Sequence, residues 1–138
     1  MASTSNPNPT SKAKLWTSYV LSALPVLFVT MSSLMKLAQP PMVIQGFAKA
    51  GISSGVVTII GVVELLCAGL YVVPKTAVLG AILVTGYLGG AVFVHVRAGE
   101  IAFLAPLLLG VIAWGGLFLR DARIRELLPL RNSTLSGR

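Results

Sequence analysis

One carboxylate in this chain stands where a carboxylate is expensive. Glu64 lies about ten residues from either end of an apolar run covering residues 54–73. At the centre of a hydrocarbon layer a charge costs ~2.5–3.5 kcal/mol on insertion scales, so an ionisable residue there points to function first. Glu64 is either ionised and paired, or protonated and itself a donor. The plainer use is a hydrogen bond that fixes helix packing. Lys36, Tyr87 and His95 are the residues that could answer it.

Helical phase brings these residues toward one interior. At about 100° per residue, Ser54, Thr58, Gly61, Glu64 and Ala68 share a stripe. Ser22, Pro25, Ser33 and Lys36 form another, and Gly80, Tyr87, Ala91 and His95 a third. Small and polar residues collect where helices approach closely in lipid, so the three stripes should face one another. Gly86 and Gly90 also have the four-residue spacing of a small-residue pairing motif. Lys36 and His95 lie about ten residues, or ~15 Å, nearer the end of the bundle than Glu64. Helical side chains lean toward the N-terminus of their own helix. Lys36 and His95 therefore lean inward and Glu64 leans toward them, which predicts a polar pocket of Lys36, Glu64 and His95. Tyr87, level with Glu64, is placed to hydrogen-bond it. Taken singly each has a blander reading: Lys36 as a snorkelling cation, His95 as an interfacial group, Tyr87 as packing. No metal site and no catalytic group is expected.

The elements that must hold these side chains are legible in composition. Of 138 residues, 55% are hydrophobic and 11% charged, against about 25% charged in a soluble domain. Much of the surface must face lipid. Four apolar runs, at residues 15–35, 54–73, 76–96 and 101–119, each approach the ~20 residues that cross a ~30 Å hydrocarbon core as a helix. Backbone groups in lipid must be paired within the segment, and the short alternating segments of a β-barrel are missing. The expected fold is all-α: an integral membrane four-helix bundle over residues 14–131, with a disordered tail at 1–13 and a flexible one at 132–138. Tight turns at Pro74-Lys75 and at residues 97–100 make the last three spans antiparallel neighbours. The longer first link holds a short amphipathic segment, residues 42–49, suited to the membrane surface. Pro25 and Pro106 could bend their spans and widen the bundle.

The net charge of +7 is not a nucleic-acid footprint, because its cations flank apolar runs and form no basic stripe. Eight of the eleven Lys and Arg fall on the side of the termini and three, Lys36, Lys49 and Arg97, on the other. The positive-inside rule then puts both termini in the cytoplasm. Trp16 and Tyr19 read as interfacial anchors, Trp114 less so. The single cysteine, Cys67, sits in an apolar run and reads as a small hydrophobe.

Four segments resemble the DoxX-like family of small four-helix membrane proteins. They are Met35-Lys36-Leu37, Gly61-Val62-Val63-Glu64, the stretch from Gly86 to Arg97 containing Gly89-Gly90-Ala91 and His95, and the ending Trp114-Gly115-Gly116 through Asp121. The resemblance covers roughly residues 14–131 and implies the fold deduced above. Some relatives are linked to thiosulfate and quinone oxidoreduction, others to thiol redox balance, so the resemblance implies a quinone-like ligand and a redox partner protein. No flavin, haem or metal motif accompanies it, so no stand-alone enzyme is expected. The leading expectation is a bacterial-type, multi-pass protein of the inner (cytoplasmic) membrane, with oligomeric state open. Its pocket of Lys36, Glu64, Tyr87 and His95 would hold a small molecule for a membrane redox system. The rival is a structural or assembly protein in which these residues only lock helices together. A small transporter is disfavoured, since inverted repeats and broken helices are not evident.

Overall fold

A computed structural model describes residues 9–121 and 124. Five α-helices are delimited among these described residues: α1 Pro9–Ala38, α2 Pro41–Lys49, α3 Ser54–Val72, α4 Ala77–Arg97 and α5 Leu104–Arg120, the last entered through a 3-10 turn at Ile101–Phe103. Among the described residues there is no strand. Among the described residues four stretches are long and apolar enough to cross a membrane: Leu15–Ala38, Ser54–Val72, Ala77–Arg97 and Ile101–Arg120. At 1.5 Å per residue they reach ~28–36 Å. Helix α1 begins at Pro9, so part of the segment expected to be a disordered tail is helical. The expected C-terminal tail lies outside the described residues.

The four long helices form a ring in the order α1–α3–α4–α5, each packed on two neighbours. Their outward faces carry Leu27, Ile59, Leu66, Phe93 and Val111, each more than 60% exposed. That continuous apolar surface is far beyond what a soluble monomer shows to water. Inward lie Val29, Val57, Ala68, Tyr71, Ala81, Val84, Leu88, Ala113 and Leu117.

Three glycines set the closest crossings. A Cβ on Gly80 would lie 2.2 Å from the Tyr71 backbone nitrogen, one on Gly116 2.6 Å from Ser22 Oγ, and one on Gly61 3.1 Å from Lys36 Cβ. The expected Gly86/Gly90 pairing face is different. Nothing lies within 4 Å of a Cβ at either position, so that spacing marks an open face of α4 and no packed seam.

The turns are stabilised locally. After α3, Thr76 Oγ1 donates to the Leu70 carbonyl (2.8 Å), giving a partner to one carbonyl of the last turn. After α4, Gly99 at φ 71° takes the left-handed conformation that ends the helix. Helix α2 starts on Pro41, suited to the first turn because it has no N–H to leave unpaired. No residue of α2 is buried, in keeping with a surface helix.

Candidate functional site

Lys36 and Glu64 meet inside the ring. Helix α1 places Lys36 in its last turn, and α3 places Glu64 at its middle, directly across the α1–α3 seam. Lys36 Nζ donates to Glu64 Oε2 at 2.7 Å, and the two residues are 6% and 1% exposed. The snorkelling alternative for Lys36 is therefore overturned: its ammonium turns inward. Its other donors go to Ser32, one turn back on α1, reaching the hydroxyl and, at 3.4 Å, the carbonyl. One residue along α1, Ser33 donates to the Gly61 carbonyl at 2.7 Å. The lack of a Cβ at Gly61 lets α1 come this close.

Aromatic rings cover the pair. Tyr87 reaches across the ring from α4, with its face 5.7 Å from Lys36 Nζ. Phe47 on α2 lies 5.9 Å from the same nitrogen. Both distances suit a cation–π contact. The Tyr87 hydroxyl lies beside Glu64 and Ser32, yet it closes no hydrogen bond to Oε1. That oxygen is buried and has no partner among the described residues.

His95 does not join the group. Its Nδ1 donates to Glu100 Oε2 at 2.7 Å, with both side chains at the exposed end of the bundle. The reason is local. Gly99 reverses the chain, the Glu100 N–H returns to the His95 carbonyl at 3.0 Å, and the Glu100 carboxylate is delivered to the imidazole. A partner five residues away outcompetes a carboxylate two to three turns deeper.

Several residues that matter were not marked by the sequence reading. Ser32 completes the Lys36 shell. Gln39, at φ 51°, joins α1 to α2 in a left-handed conformation that costs a non-glycine residue roughly 1–2 kcal/mol. Its side chain donates to Ser54 O (3.0 Å) and Thr58 Oγ1 (2.7 Å), which pins this junction to α3. At the opposite end Tyr71 donates across the ring to the Ala113 carbonyl at 2.8 Å. Arg120 stacks on the Tyr71 ring and donates to its carbonyl at 3.1 Å. Neither was foreseeable, because the acceptor in each case is a backbone carbonyl that no residue type announces.

Two cavities lie away from the ion pair. A seam lined by Pro25, Val29, Ala68, Tyr71 and Val84 has no room for a water molecule. A groove of about 390 Å³ opens between α4 and α5 past Leu88, Gly89, Pro106 and Gly110. Trp114 lines this groove and donates to Thr85 Oγ1 at 2.8 Å, so it ties α4 to α5. Trp16 and Tyr19 are well exposed. Of the two prolines, Pro106 lines open space and Pro25 a closed seam.

A ring of four apolar helices closed around a buried Lys–Glu pair defines a small membrane protein. The family model of the DoxX-like family matches residues 20–116, and the chain belongs to that family. No curated protein and no solved structure matches it.

Proposed function

We propose that this chain is a membrane-embedded binding protein, and that its Lys36–Glu64 group takes the polar head of a lipid-soluble small molecule. The observation that carries this reading is the unpartnered Glu64 Oε1. Hydrocarbon offers no water to satisfy it, and a buried charged acceptor without a donor is costly. A ligand's head would supply what the protein lacks. Access would come from the α2 end, where the Phe47 ring lies over the ammonium. The hydroquinone form of a quinone-like head, which carries O–H donors, falls within this ligand class, and the chain would then serve as accessory to a membrane redox partner. His95 and Glu100, exposed at the same end, would flank that access and not contact the ligand. By the positive-inside count both termini face the cytoplasm of a bacterial-type cell, so the α2 end faces outward.

A second reading has its own support. Glu64 and Lys36 are almost fully buried, and neither cavity described above is lined by them. On this view the pair only clamps α1 to α3, which leaves Oε1 unexplained. Mass spectrometry of lipids and quinones co-purifying with the wild type and with Glu64→Gln separates the two. The binding reading expects a small molecule that is lost in the variant; identical ligand content would overturn it. For orientation, a reporter active only in the periplasm should stay silent when fused after Arg138.

A further inference from the structure

From the hydrogen-bond inventory of the buried group we infer that it selects ligands that donate a hydrogen bond, hydroxyl or N–H compounds of phenol-like shape, over acceptor-only analogues of the same size. The inference rests on the binding reading above and makes it chemically specific.

An ammonium has three donors. Those of Lys36 are directed to Glu64 Oε2, Ser32 Oγ and the Ser32 carbonyl. A carbonyl or ether oxygen arriving here finds no free N–H on Lys36. The carboxylate is in the opposite condition. Oε2 is held by Lys36, while Oε1 is buried with no partner among the described residues; the Tyr87 hydroxyl beside the carboxylate can serve an incoming oxygen, but only a ligand O–H or N–H also fills the valence of Oε1. The walls favour a flat, apolar-edged head: the Tyr87 and Phe47 rings both face the ammonium. A phenol or hydroquinone hydroxyl directed at Oε1 would form a charge-assisted bond, shorter and stronger than a neutral one. The acceptor-only counterpart would leave Oε1 bare.

The amide variant sharpens the inference. In Glu64→Gln, Lys36 can bond only the amide oxygen, so the NH₂ is turned to the place where Oε1 stood. The vacant valence becomes a donor, and the selectivity for hydroxyl ligands should vanish.

The test uses the full-length chain in detergent, with an equimolar mixture of 4-octylphenol and its methyl ether, read by native mass spectrometry. The expected wild-type result is phenol bound about tenfold or more over the ether, falling to within about twofold in Glu64→Gln. Equal binding of both probes by the wild type, lost for both in the variant, would overturn the donor preference and leave the binding site standing. Binding of neither probe, or of both unaltered in the variant, would overturn the site itself. A preference for the ether would overturn the inference. Should Glu64→Gln not be recovered folded, the wild-type ratio still decides selectivity. A diazirine-bearing alkylphenol then decides location: labelling of peptides around Lys36 and Glu64 supports the inference, and labelling confined to α5 defeats it.

Discussion

The α1–α3 seam and the α4–α5 seam are built on opposite principles. Across the first, a glycine lets two helices nearly touch, Ser33 bonds the facing backbone, and an ion pair closes the gap. Across the second, the helices part over Gly89 and Gly110 and leave a groove of about 390 Å³, with the Trp114–Thr85 bond as the tie across it. In lipid no hydrophobic force drives helices together, so close packing and hydrogen bonds decide which seams are tight. The tight seam contains a polar group with an unfilled valence. The loose seam is apolar, and acyl chains can fill it at no polar cost.

The largest effect should come from breaking the ion pair. Glu64→Ala leaves Lys36 in the core with Ser32 alone, and losing one partner of a buried pair costs ~3–5 kcal/mol. For a small bundle this should appear as a large drop in thermal unfolding temperature in detergent, or as failure to purify as a single species. Lys36→Met combined with Glu64→Leu removes both charges and should restore most of the loss, since an apolar pair of similar volume is often neutral. A double variant that is stable but takes up no alkylphenol would part the two roles of the site. Failure of the double variant to recover would mean that the charge pair itself, beyond its volume, specifies this seam.

Next in size is Gly61→Ala. A Cβ there lies 3.1 Å from Lys36 Cβ and 3.3 Å from Leu37, so α1 must retreat by a few tenths of an ångström. Overpacking of this kind costs about 1–3 kcal/mol, and the retreat also stretches the Lys36–Glu64 bond. Unfolding in SDS should shift accordingly, and an unchanged midpoint would show that α1 is free to slide.

The tight seam was readable in the sequence and the loose one was not. Lys36 and Glu64 were paired from helical phase and from the lean of side chains along antiparallel helices. Both are fixed by backbone geometry, and the ion pair followed. The spans themselves were set by apolar runs, and the apolar stretches end within about three residues of the expected limits, although helix α1 itself starts earlier, at Pro9. His95 escaped because the outcome depended on one residue, Gly99, whose left-handed turn carries Glu100 back to the imidazole. The glycine spacing misled for a related reason. Gly86 and Gly90 have the spacing of a contact and face open space, whereas Gly61, Gly80 and Gly116 make the contacts. Spacing records which residues share a face, and only the partner helix decides whether that face is covered.

On the loose seam the effects should be smaller. Trp114→Phe keeps the ring in the groove wall and removes the hydrogen bond to Thr85 Oγ1. Interhelical side-chain bonds in membranes average about 0.6 kcal/mol, so a loss of roughly that size is expected, against several times more for the ion pair. A loss as large as that of Glu64→Ala would erase the contrast between the seams.

The smallest effect, and the cleanest control, is Gly110→Ala. The nearest atom to a Cβ there is Leu88 Cδ1 at 3.9 Å, an ordinary contact, so the methyl enters the groove without moving anything. In water the substitution would gain nearly 1 kcal/mol of helix propensity. That gain reflects the freedom of an unfolded glycine, and a segment in lipid stays helical because its backbone has no other partners. The unfolding midpoint should therefore stay within about 0.5 kcal/mol of wild type, while the same methyl at Gly61 costs more than that. Equal costs at the two sites would mean that the groove closes in the bilayer and that α4 and α5 pack there as tightly as α1 and α3.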